Sequence, residues 1–345
     1  MPAAHAEARP VRYWALTVIG IGVLLAICSY AELVLVVMLV SILLAFVLAP
    51  AVDWLTRLRL PRALATGLTM LLLFALLAGI IYLSYNQAAT LVDDLPKYSA
   101  QIREGLLRFR QKAESLQVLN PQHEKGVVSV RPATDWAGLL SSGFGSVTQA
   151  AFAASFVPFL VYFMLTWHNH VRSATVMLFR MENRNTAYVT LGMIAAMIRS
   201  FMAGNVLIGI AMGVVSSLVF WWLNIPFFYF VGFISAFLSL VPYLGILLAL
   251  APPVFLGIGH LSSQDFLVIV VTVVALHVLA LNVLYPKFLG QRLRLNPLAV
   301  TMALLFWAWM WGGIGLLLAI PITAAMKIVF DHVESLKPYG VWLGE

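Results

Sequence analysis

The sequence predicts an all-α polytopic membrane protein of about eight transmembrane helical units, with two re-entrant hairpins in an inverted-repeat C-terminal half. Three observations carry this. Of 345 residues, 62% are apolar and only 10% are charged. A soluble domain has about 45–50% and about 25%, so these few charges do not cover a water-facing surface. Charge-free stretches long enough for a spanning helix recur along the chain. Two of them are too long for one helix and carry Pro or Gly near their middles. Other classes fall away. Disorder needs low hydrophobicity. A disulfide framework needs more than the single Cys28. A transmembrane β-barrel would alternate polar and apolar residues.

The charge-free stretches give the elements in order. Stretches 13–31 and 33–52 flank Glu32, and 63–92 follows Arg62. Arg9 and Arg12 ahead of an apolar run imitate a secretory leader. A second apolar run follows at once, which predicts a retained helical hairpin instead. Ile27 occupies the place before Cys28 where a lipoprotein needs a small residue. Stretch 136–171 is a fourth helix and 266–286 a later single span. Stretches 200–264 and 295–326 exceed one helix each.

Arg9 and Arg12, then Arg57, Arg59 and Arg62, then Arg172, Arg180, Arg184 and Arg199, then Lys287, Arg292 and Arg294 fall in alternate loops. The loops between them, around Glu32, 224–226 and 260–264, hold no Lys or Arg. The positive-inside rule then places both termini in the cytoplasm, with the chain in a bacterial inner membrane. The net charge of +7 reports orientation, not nucleic-acid binding, since no basic helix face is interleaved with aromatics. Segment 86–135 lies outside on this reading. It is polar and nearly charge-balanced, and long loops cross regardless of charge. Leu91, Leu95, Tyr98, Ile102, Leu106, Phe109, Ala113 and Leu116 form a helical stripe there. Either its own subunit or a neighbouring one covers that stripe.

The two long stretches read as helix plus hairpin. In 226–260, apolar arms 227–240 and 246–259 flank Pro242-Tyr243-Leu244-Gly245. In 298–330, arms 298–311 and 316–330 flank Gly312-Gly313-Ile314-Gly315, with Pro321 inside the second arm. An arm of about 14 residues rises roughly 21 Å, short of a core of roughly 30 Å. The alternative is that these prolines and glycines only kink complete spanning helices. Oppositely oriented units that meet at broken helices are the plan of many secondary transporters. Irregular backbone at membrane depth persists only where it is buried or lines a cavity.

Three stretches carry a family resemblance. Ile198-Arg199-Ser200-Phe201-Met202-Ala203-Gly204-Asn205 is similar to a helix start that ends in Gly-Gln, with Asn205 in place of Gln. Leu240-Val241-Pro242-Tyr243-Leu244-Gly245 is similar to a Pro-Tyr-x-Gly turn. Asn282 to Gly290 with Leu295-Asn296-Pro297-Leu298 resembles an Asn-x-x-x-Pro-x-x-x-Gly segment, and Gly312 to Gly315 with Ala319-Ile320-Pro321 continues it. Together they resemble the autoinducer-2 exporter family. The resemblance implies export of a small polar organic molecule, an autoinducer-2-like signal or a metabolite. It also implies a homo-oligomer, with a pentamer as the suggested form. An oligomeric channel or a sodium/proton antiporter is the alternative.

One departure weighs against cation exchange. Many members have an acid just before the position of Asn282, where this chain has Leu281. No Asp or Glu stands between Glu182 and Asp265, or between Asp265 and Asp331, and an intramembrane carboxylate is the usual cation handle.

The expected solute site gathers Asn205, Pro242, Tyr243, Gly245, Asn282, Pro286, Gly312, Gly313 and Gly315. Uncharged amides offer donors and an acceptor without a buried charge. Interhelical bonding is their competing role. His277 is a candidate proton relay, or a packing histidine. Ser235, Ser239 and Thr301 are weaker candidates, and Trp307, Trp309 and Trp311 read as packing or interfacial residues. No zinc-protease helix, Gly-x-Ser-x-Gly elbow or phosphate loop occurs, so no catalytic residue, metal or cofactor is expected. The domains are 1–85 (helices one to three), 86–135 (outer domain), 136–198 (helix four and interfacial helices), 199–332 (transport domain) and 333–345 (tail). Partners are a small-molecule solute, the bilayer and further copies of the chain, with no nucleic acid.

Overall fold

The computed structural model describes residues 11–82, 85, 147–241, 244–257, 261–288 and 295–344. Among them there are helices and turns but no strand, and six helices are long and apolar enough to cross a membrane. The stripe expected in 86–135, and Pro242 and Tyr243, lie outside the described residues.

Helices α1 (Val11–Tyr30) and α2 (Glu32–Arg57) meet at Ala31. The sequence predicts a hairpin here, and the structure corrects it to a bend. Ala31 N–H donates to the Ile27 carbonyl at 2.8 Å, and Leu35 N–H to the Ala31 carbonyl at 3.0 Å. Only Ala31, at φ −89° and ψ 16°, stands between the two helices, and one residue leaves too little chain for a reversal. Leu16, Ile19, Val23 and Ile27 of α1 are all exposed.

Helices α2, α3 (Arg62–Tyr82) and α4 (Val147–Met177) form one bundle. Its core joins Ala45, Ala49, Val52, Ala65, Val161 and Leu165. Alanines at four-residue spacing let backbones approach closely, and close packing is what holds helices together in lipid. Helix α4 kinks at Trp167, whose φ and ψ are −108° and 17°.

Helix α5 (Arg184–Trp222) runs 39 residues. The charge-free stretch expected for this span opens only at Ser200. The helix begins earlier because 184–203 contains no proline. The junction expected between domains at 198–199 therefore falls inside one rigid helix. Arg199 reaches Asp53 of α2 at 3.5 Å, and Asp53 also pairs with Arg62 at 3.5 Å.

Two left-handed residues, Asn224 and Phe227, turn the chain into α6 (Phe228–Ser239). Phe227 holds that conformation because it is buried near Phe220, Ile225 and Val231. Helix α7 (Gly245–Gly257) follows. Helix α8 (Ser263–Leu279) opens on a capping box of Ser262 and Asp265. A π turn (Ala280–Leu284) leads into the single turn α9 (Tyr285–Phe288). Helix α10 (Pro297–His332) contains a break, and α11 (Lys337–Leu343) ends the described chain.

Asn296 caps α10 and also holds α11. Its Oδ1 accepts from Ala299 N–H at 2.7 Å. Its Nδ2 donates to the carbonyls of Trp342 at 2.7 Å and Gly344 at 3.0 Å. Its backbone N–H donates to the Leu343 carbonyl at 3.0 Å.

Candidate functional site

The chain reverses between α6 and α7. Ser235 Oγ donates to the Ala249 carbonyl at 2.7 Å. Fourteen residues of unbroken helix would separate these two by roughly 21 Å, so the arms are antiparallel. Gly245 sets its backbone against the Ser239 carbonyl, where a Cβ would not fit. The hairpin packs on α5 through a row of small residues. Gly209 faces the Phe237 ring, Gly213 faces Phe233, and Gly232 meets the Ser217 backbone. These α5 positions are four apart and share one face. One more step of this register brings Asn205 level with Val241, the last described residue before the turn. Asn205 Oδ1 is buried and has no hydrogen-bond partner among the described residues.

Helix α8 secures the same tip. His277, 6% exposed, places Nδ1 3.0 Å from both Ser239 Oγ and the Ser239 carbonyl. Tyr285 OH donates to the Leu240 carbonyl at 3.3 Å. Ring and hydroxyl thus take up acceptors that the end of α6 leaves open. Between them runs the π turn, a local defect often found at functional positions. Asn282 lies in that turn, exposed, and donates to the Val278 carbonyl at 2.8 Å. Pro286 is exposed in α9.

The break in α10 is also a reversal. Trp311 and Gly312 leave helical geometry, and Gly312 has φ 58° and ψ −139°. Trp307 Nε1 donates to Thr323 Oγ1 at 3.3 Å. Sixteen residues of straight helix would rise roughly 24 Å, so 297–310 and 313–332 are antiparallel arms. Gly315 lies against the Trp307 carbonyl, leaving no room for a Cβ. Trp311 Nε1 donates to the Cys28 carbonyl of α1 at 3.1 Å, and its ring lies 4.9 Å from that of Trp307. Gly312 and Gly313 are exposed, with open space where a Cβ would stand.

The expected site residues therefore fall into separate groups. Asn205, Gly245 and His277 gather around the first tip. Gly312, Gly313 and Gly315 form the second. Asn282 and Pro286 face outward near the first. Trp307 and Trp311 pack between arms, Trp309 is 77% exposed, and Thr301 bonds its own helix at Pro297. Sequence reasoning misses Tyr285, whose phenol is aimed by the π turn. It also misses the Asp53–Arg62–Arg199 cluster, which joins three helices. Asn296-Pro297 is legible as a helix start, but its hold on α11 is not.

A bundle of long apolar helices, with hairpin tips and a buried amide oxygen unpaired among the described residues, defines a polytopic membrane protein with the features of a transporter. The family model described as AI-2E family transporter matches residues 15–335, and the chain belongs to that family. YrrI of Bacillus subtilis (strain 168), a presumed transport protein, is 25% identical over 87% of this chain and 86% of its own length. The AI-2 transport protein TqsA of Escherichia coli (strain K12) is 24% identical over 95% of each chain. A sodium-lithium/proton antiporter of Halobacillus andaensis is 26% identical over 85% of this chain and 88% of its own. The chain is a membrane transporter of the AI-2E family.

Proposed function

We propose that the protein exports a small polar organic molecule from a bacterial cell across the inner membrane, with both termini in the cytoplasm. The observation that carries this reading is the Asn205 carboxamide oxygen, buried beside the first hairpin tip with no partner among the described residues. An unpaired buried acceptor costs about 1–3 kcal/mol. A passing donor offsets that cost only while it is bound. Both tips act as re-entrant hairpins of opposite entry, and backbone groups there supply the remaining contacts. Helix α5 moves as one piece with the rest of 199–332 against α1–α4 in alternating access, within a homo-oligomer. The Asp53–Arg199 pair is the tie between the two parts.

The TqsA relative is named for AI-2 transport, which supports a small polar organic solute. Cation exchange, named for the Halobacillus relative, has less support: residues 183–264 and 266–330 contain no carboxylate.

The test compares extracellular small molecules from cells overproducing the native protein with cells overproducing Asn205→Leu at equal membrane level. Solutes enriched outside only with the native protein are the expected result. Identical profiles would end the export reading, and saturation and counter-flow of the enriched solute then separate a carrier from a channel.

A further inference from the structure

A second site lies apart from both tips. A cavity of about 940 Å³ opens between α2, α4, the first half of α5 and the second arm of α10. That volume is near the upper end of small-molecule pockets, roughly 300–1,000 Å³. Its walls are aliphatic and aromatic, including Leu43, Phe46, Ile194 and Ile322. Its polar lining includes Arg62, His168, Asn169, Arg172 and Arg199.

All five line the same cavity. Arg62 and Arg199 share Asp53. Arg62 Nε donates to the Leu165 carbonyl at 2.7 Å, and His168 and Arg172 follow on successive turns of α4. Two of the three arginines thus share one carboxylate. Among the described residues Arg172 is held by neutral groups: its Nη2 donates to the Tyr188 carbonyl at 3.3 Å, and its guanidinium lies 4.1 Å over the Tyr188 ring. Its Nε is buried with no partner among the described residues. The guanidinium is therefore oriented, with charge and one donor unanswered.

We propose that this cavity binds one anionic amphiphile, its acyl chain among the apolar walls and its anionic head on Arg172, Arg199 and Arg62. A small free anion would leave the apolar volume unfilled, and an uncharged lipid would leave the arginines unanswered. Basic pockets between transmembrane helices do take anionic headgroups. This site does not rest on the export reading, since it shares no residue with the expected solute site.

The test uses the full-length protein in nanodiscs of neutral lipid. Four probes are offered: dioleoylphosphatidylglycerol, oleate, dioleoylphosphatidylcholine and inorganic phosphate. Bound ligand per chain is counted by mass spectrometry, with the native protein, Arg172→Gln at the head end and Ala195→Phe in the wall. The expected result is saturable binding of phosphatidylglycerol or oleate at about one per chain, weakened about tenfold or more in each variant. The tighter of those two probes tells a bilayer phospholipid from a free fatty acid. Equal retention of phosphatidylcholine would overturn the proposal. So would anionic-lipid binding unchanged in both variants, or phosphate binding that matches it and ignores Ala195→Phe. Either variant suffices if the other does not fold.

Discussion

The two hairpins solve the same problem in different ways. The first, α6–α7, is closed from outside. Helix α5 receives it along Gly209, Gly213 and Ser217, and α8–α9 holds its tip through His277 and Tyr285. The second, inside α10, is closed from within. Trp307 reaches Thr323 across the arms, Gly315 lies on the Trp307 carbonyl, and one bond from Trp311 ties the tip to α1. A tip fixed by neighbours moves only when they move. A tip fixed by its own arms keeps its shape, while Met310, Trp311 and Leu318 pack it on Val36 of α2.

The comparison is broken most severely at Gly315. Gly315→Val puts a side chain into backbone that cannot yield, and the expected cost is about 3 kcal/mol, the upper end of overpacking. A melting curve of the detergent-purified protein would show it, with new accessibility at a cysteine placed at Thr323. Unchanged melting would mean the second hairpin is not closed by its own arms.

His277→Phe is the corresponding change at the first tip. It strands the Ser239 hydroxyl and is expected to cost about 1–2 kcal/mol. Its distinguishing readout is local: thiol labelling at a cysteine replacing Leu244 should rise, while labelling at the second tip stays constant. Equal change at both tips would contradict their independence.

Gly312 and Gly313 sharpen the comparison within one tip. Both have open space for a Cβ, but only Gly312 has positive φ. Gly312→Ala should cost about 1 kcal/mol or more from backbone strain alone. Gly313→Ala should stay within about 0.5 kcal/mol. Equal melting shifts would remove the φ argument.

Asn282→Ala is the smallest expected change. Its side chain is exposed and bonds only its own helix, so stability should shift by less than about 0.5 kcal/mol. A larger shift in the melting curve would mean that a neighbouring copy covers it.

Much of the fold is legible in the sequence, because helix length and hydropathy are local properties. The reversals lie where Pro242–Gly245 and Gly312–Gly315 interrupt the apolar runs, and the arms agree within a few residues. What escapes the sequence is set by partners. The bend at Ala31 depends on a single non-helical residue that no residue type announces. The length of α5 follows from the absence of a breaker, which a charge-based division at Arg199 overrides. Tyr285 and His277 meet the first tip only because a π turn resets the face between them. Of the site, the tips and Asn205 are legible from residue type. The arginine cavity is not, since Arg62, Arg172 and Arg199 come from three separate helices.

The clamp at Asn296 bears on how the sequence can drift. Its side chain and backbone hold main-chain atoms of 342–344 and no side chain there. The interaction is therefore written in residue identity on one side only. Trp342 and Leu343 are free to change without loss of the bond, whereas Asn296 is not. Covariation between the two segments should be weak although they touch, and a search for contacts by paired substitution would pass over this one.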